Sequence, residues 1–76
     1  MITVKLYGLL RIESGIKEHR TEAARVKDIL SDLVSLGISQ KELDRCIILV
    51  NGKPANKRST LNDGDAVQLM SPVAGG

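Results

Sequence analysis

Only one stretch of this chain has the period of a long amphipathic helix. Val26, Ile29, Leu30, Leu33 and Val34 fall at i, i+3, i+4, i+7 and i+8, which places them on one apolar stripe. Gly37 stands where a glycine ends a helix. The start is poorly marked, because Ala24 and Arg25 are weak caps and Thr21 lies early. Ser39-Gln40-Lys41-Glu42 has the spacing of a capping box and predicts one further short helical turn. A single long helix can cover one face of a sheet and no more, so this stripe restricts the chain to a two-layer α+β arrangement with one sheet face open.

The remaining apolar residues read as strands. Ile2, Val4 and Leu6 alternate with Thr3, Lys5 and Tyr7, the period of a strand buried on one side. Leu9, Leu10 and Ile12 prolong the apolar content before Glu13-Ser14-Gly15 supplies turn residues. Ile16–Thr21 is polar, carries Lys17, His19 and Arg20, and reads as an edge strand. Cys46-Ile47-Ile48-Leu49-Val50 is a continuous apolar run, the pattern of a strand covered on both faces. Asn51-Gly52 after it is a strong hairpin signal. Lys53–Thr60 is polar and irregular with Pro54 as a breaker, and Asn62-Asp63-Gly64-Asp65 turns into the alternating strand Ala66–Met70. The predicted order is ββαββ, a mixed sheet of about four strands with one main helix on one face.

Size and composition limit what such a domain can do. At 76 residues there is room for one domain, which buries only about 60% of its unfolded surface. Tyr7 is the sole aromatic residue, so the core must come from Ile, Leu and Val. The 11 basic and 9 acidic residues nearly cancel. Lys53, Lys57 and Arg58 cluster without a stacking ring, which argues against nucleic-acid binding. No apolar run approaches the roughly 20 residues of a membrane span, and the N-terminus lacks a signal-peptide pattern. With the single Cys46 no internal disulfide forms, and a cytoplasmic location is expected.

The chain closes on Ser-Pro-Val-Ala-Gly-Gly. Pro72 cannot donate to a sheet ladder and biases Ser71 toward extended geometry. Val73, Ala74, Gly75 and Gly76 have no period to pack. Residues 1–71 therefore read as the folded domain and 72–76 as a flexible tail that reaches at most about 16–18 Å from it.

Three stretches together carry a family resemblance: Val-Asn-Gly-Lys at Val50–Lys53, Leu-x-Asp-Gly-Asp-x-Val at Leu61–Val67, and Pro-Val-Ala-Gly-Gly at the end. They resemble the β-grasp, ubiquitin-like sulfur carriers, with MoaD and ThiS as the best-known branches, and the likeness covers essentially the whole chain. Lys5–Gly15, K-L-Y-G-L-L-R-I-E-S-G, is similar to the opening of MoaD proteins, the small subunits of molybdopterin synthase. The chain departs from their pattern in having Tyr7 and Met70 where phenylalanine is usual.

The resemblance implies a carrier with no catalytic side chains and no bound cofactor. A separate MoeB/ThiF-like adenylating enzyme would use ATP to activate the Gly76 carboxyl. A sulfur donor protein would convert the product to a thiocarboxylate, and the molybdopterin synthase large subunit would receive the sulfur. Pro72, Val73, Ala74 and Gly75 would be the tail recognition positions. The physical case for glycine is that Gly75 and Gly76, lacking Cβ, can thread into confined active sites. Sulfur delivery to the thiamine thiazole, a protein modifier joined through Gly76, and a plain interaction module are the competing readings.

Tyr7 and Met70 point away from the helix, since Leu6 and Leu69 point toward it, and form a candidate partner interface. The central run adds either Ile47 and Leu49, or Cys46, Ile48 and Val50, to that face. Cys46 reads as core packing, His19 as a surface strand residue, and Asp63 and Asp65 as turn chemistry. No metal site is expected.

Overall fold

The computed structural model describes residues 1–72; Val73–Gly76, on which most of the expected tail falls, lie outside the described residues. The order is β1 (Ile2–Tyr7), α1 (Leu9–Ser14), β2 (Glu18–Thr21), α2 (Val26–Ser35), α3 (Gln40–Arg45), β3 (Ile47–Val50), β4 (Lys53–Pro54) and β5 (Ala66–Met70). The strands form one mixed sheet in the order β2-β1-β5-β3-β4. It has five strands rather than four, because Lys53 and Pro54 pair back on Val50 and Leu49. A proline is tolerated there because β4 is an edge. The polar β2 is the opposite edge, as its composition predicts.

The first and last strands run parallel at the centre, Thr3 opposite Ala66 through Tyr7 opposite Met70. Their inward residues Ile2, Val4, Leu6, Val67 and Leu69 join Ile48 from β3 and meet Val26, Ile29, Leu30 and Leu33 of α2 in a single core. Val34, at the rim of the predicted stripe, is exposed. Helix α2 ends as its sequence implies. Gly37 takes φ +104°, its N–H donates to the Val34 carbonyl at 2.9 Å, and the Ile38 N–H donates to that of Leu33 at 3.0 Å. This is a Schellman closure, and its hydrophobic partner Ile38 is buried in the core.

The start of α2 has no side-chain cap. Its first N–H groups instead donate outside the helix, Val26 to the Ser59 carbonyl and Lys27 to the Lys57 carbonyl, each at 3.0 Å. The irregular Lys53–Thr60 stretch thus supplies the acceptors that Ala24 and Arg25 lack. A second difference lies at Leu9–Ser14, which is a helix where the sequence offers only prolonged apolar content followed by turn residues. Gly8 and Gly15 flank it at φ +64° and +74°, and Leu10 is its buried anchor. Ser39 caps α3 by accepting from the Lys41 N–H at 3.2 Å.

Asn51 and Gly52 both adopt positive φ, 52° and 81°, as a type I′ hairpin turn requires. Asn51 also ties the hairpin to β5. Its Nδ2 donates to Asp65 Oδ1 and its Oδ1 accepts from the Ala66 N–H, both at 2.9 Å. The Asn62 N–H donates to Asp65 Oδ2 at 2.8 Å. Asp65 therefore holds two loops at once, while Asp63 pairs with the Met1 α-amino group.

Leu33 is fully buried and Leu36, three residues on, is 53% exposed. Leu33→Ala is expected to cost about 2–5 kcal/mol in urea unfolding, and Leu36→Ala to stay within about 0.5 kcal/mol. The Asn62 N–H, and after it the Asn51 amide, hold the Asp65 carboxyl below the ordinary carboxylate range. A carboxyl so depressed stabilises the fold above its unfolded pKa of about 3.9, and that contribution disappears as pH falls through the folded value. Asp65→Asn is expected to lower the melting temperature at neutral pH and to flatten its fall in acid, read by melts from neutral to strongly acidic pH.

Candidate functional site

The sheet face opposite α2 follows from strand parity and register. One row runs Tyr7, Met70, Ile47 across β1, β5 and β3, and the next runs Lys5, Gln68, Leu49. The register decides between the two possible contributions of β3: Ile47 and Leu49 face outward, while Ile48 is buried against the core. The apolar run at Cys46–Val50 is therefore not covered on both faces, since Ile47 is 47% exposed. Tyr7 and Met70, side by side in the parallel ladder, are half-buried, and the Tyr7 hydroxyl accepts from Gln68 Nε2 at 3.3 Å.

The same end of β5 is where the chain leaves the body. Past Met70, the Ser71 hydroxyl accepts a hydrogen bond from the Leu9 N–H at 2.9 Å, and Pro72 is exposed. Leu9, Glu42, Arg45, Ser71 and Pro72 line a groove of about 190 Å³ at this point. The arrangement brings the two predicted interface residues, Tyr7 and Met70, to the root of the predicted tail. Pro72 is the one tail position among the described residues; Val73, Ala74, Gly75 and Gly76 fall outside them. Sequence reasoning missed Ser71, Gly8 and Leu9. The signal available for them was the pairing of the first and last strands, which aligns Gly8 with Ser71 one step past Tyr7 and Met70.

The remaining candidates are explained by structure. Cys46 lies just before β3, partly buried against the core, and its thiol donates to the Leu43 carbonyl at 3.1 Å. Burial raises its pKa above the ordinary thiol value. His19 lies on the edge strand β2 but is only partly exposed: it pairs with Val4 on the inner face, with Nε2 unpartnered and 3.7 Å from Asp32 Oδ2 at the flank of α2. The parity of a short polar strand hides this. Of the basic cluster, Lys57 donates to Asp44 Oδ1 at 2.7 Å. Among the described residues no group of three or more His, Cys, Asp or Glu is placed to hold a metal ion, and no helix is long and apolar enough to cross a membrane.

A mixed five-stranded sheet with its two terminal strands parallel at the centre, grasping one long helix, defines a β-grasp, ubiquitin-like domain. The protein-family model described as the ThiS family matches residues 4–76. The chain belongs to that family, and it is a ubiquitin-like sulfur carrier. Solved structures agree. SAMP1 from Haloferax volcanii has a TM-score of 0.83 at 26% identity, covering 99% of this chain and 98% of its own. A chain in the complex of subunits 1 and 2 of molybdopterin-converting factor from Helicobacter pylori has 0.75 at 25% identity, covering 99% and 97%. One in the BexX/CysO complex from Amycolatopsis orientalis has 0.76 at 26%, covering 100% of both. No curated protein matches the chain at a significant level.

The raised pKa and partial burial of Cys46 leave little accessible thiolate. Alkylation by iodoacetamide near neutral pH is expected to run roughly tenfold slower than for the urea-unfolded chain, measured by mass spectrometry over time.

Proposed function

We propose that this sulfur carrier serves molybdopterin synthesis as the small subunit of molybdopterin synthase, with Gly76 as its point of covalent attachment. The observation that carries the reading is the coincidence of the tail root with the open row of Tyr7, Met70 and Ile47. A partner seated on that row meets Ser71 and Pro72, from which the tail continues. The MoaD-like opening at Lys5–Gly15 and the likeness to the Helicobacter pylori factor support the branch.

The chemistry is dictated by the carboxylate. An ionised α-carboxyl, of pKa about 3.3–3.7, is a poor electrophile and needs activation. A MoeB/ThiF-like enzyme binds the tail, and a Gly76 carboxylate oxygen attacks the α-phosphorus of ATP. Pyrophosphate leaves and an acyl-adenylate forms. Hydrosulfide released by a donor protein then attacks the acyl carbon, AMP departs with the bonding pair, the proton is lost to solvent, and a thiocarboxylate remains. The large subunit of the synthase supplies the catalytic side chains that move this sulfur to the pterin precursor. Pro72, Val73, Ala74 and Gly75 are read by the channel walls, and Tyr7 and Met70 by the partner's docking surface.

A second reading rests on the likeness to SAMP1, called small archaeal modifier protein 1 in another of its structures. In it Gly76 forms isopeptide bonds with lysines of other proteins.

Incubation with ATP, sulfide and an activating enzyme of this class is expected to raise the mass by the difference between one sulfur and one oxygen atom. Removing Gly75 and Gly76 abolishes the change. Complementation of strains lacking either the molybdenum-cofactor carrier or the thiamine carrier separates the branches: rescue of the first alone is expected. Rescue of the second alone, or glycine-dependent conjugates of higher mass without thiocarboxylate, overturns the molybdopterin reading.

A further inference from the structure

We infer that Ser71 is a positioning residue: its hydroxyl, hooked under the start of α1, aims the chain segment that carries Gly76. The inference rests on the activation of Gly76 proposed above and adds a residue to it. Helix α1 begins at Gly8, which as N-cap has no side chain to satisfy the helix's first N–H groups. The missing acceptor arrives from the other end of the chain, as Leu9 N–H donates to Ser71 Oγ at 2.9 Å across 62 residues.

Gly8 makes this possible. Its backbone, at φ +64° and ψ −141°, is one that glycine adopts readily, and a Cβ added there would stand 2.6 Å from Ser71 Oγ. The space a side chain would occupy is the space that the hydroxyl uses.

The position of the hook explains its consequence. The β1–β5 ladder ends at Tyr7 and Met70, and Gly8 and Ser71 are the first residues past each strand. Pro72 comes directly after, with φ fixed near −65°, and confines Ser71 to extended geometry. Direction set at Ser71 is therefore passed on through a stiff joint. Misplacement of a reacting atom by about 1 Å already costs on the order of a hundredfold in rate. The docking row Tyr7, Met70, Ile47 lies on the rigid sheet before the hook, so it holds its partner whether or not the hook is closed.

The test is ATP–pyrophosphate exchange by the full-length chain with a purified activating enzyme of the MoeB/ThiF class from the same organism. Ser71→Ala is expected to lower kcat about tenfold with KM within about twofold, and Ser71→Thr, which keeps the hydroxyl, to restore kcat. An unchanged kcat in Ser71→Ala, or a raised KM with kcat intact, overturns the inference. Amide ¹⁵N relaxation at Ser71 in the isolated protein reads the hook without any enzyme: its order is expected to fall in Ser71→Ala, and unchanged order also overturns the inference. If the wild-type chain supports no exchange at all, the proposed function falls, and relaxation still decides the hook.

Discussion

The parallel pairing of β1 with β5 joins the two ends of the chain at the middle of the sheet, and most of the structure depends on it. Parallel neighbours need a long crossover, and here nearly the whole chain between Tyr7 and Ala66 serves as one. That crossover contains α2, whose stripe covers the inner face of both strands. Because β5 is flanked by β1 and β3, its backbone groups have partners on both sides, which suits a strand that must hold the departing chain firmly. A small domain with a thin aliphatic core has few ways to anchor its last strand. Placing that strand centrally is the most secure of them.

The same pairing makes one end of the sheet a composite of distant residues. Tyr7, Met70 and Ile47 form a row although they come from the start, the end and the middle of the sequence. Leu9 and Ser71 meet immediately beyond it. No local segment holds this surface alone. It exists only when the long-range ladder has formed, so this surface and correct folding are one condition. A chain with a misregistered β5 would turn Leu69 outward and Met70 inward, exchanging the two faces.

Features governed by local chemistry were legible in the sequence. The 3.6-residue stripe, Gly37, Ser39 and Asn51-Gly52 each stand where the structure uses them, because caps and turns are decided within a few residues. The features that escaped depend on tertiary partners. Helix α1 has only Leu10 to bury, and six residues leave too little period to separate it from an extended apolar stretch. The start of α2 looked uncapped because its acceptors, Lys57 and Ser59, sit far along the chain. His19 belongs to a strand whose inward side offers an imidazole and a threonine in place of aliphatic residues, so alternation carried no signal. Of the site, the outward parity of Tyr7 and Met70 was readable, and the choice of Ile47 over Ile48 needed the register.

The open face is best understood as a consequence of the helix count. Three helices lie among the described residues, but α1 and α3 are six residues each and contribute Leu10 and Leu43 to the same core that α2 fills. Nothing among the described residues crosses to the other side of the sheet. A face left uncovered in so short a chain must balance solubility against adhesion. Lys5 and Gln68 lie in the row beside Tyr7 and Met70, which breaks the apolar surface into a narrow band. A narrow band favours a partner that brings its own complementary edge and releases it afterwards. The proposed role asks for that behaviour, with one protein loading the carrier and another emptying it.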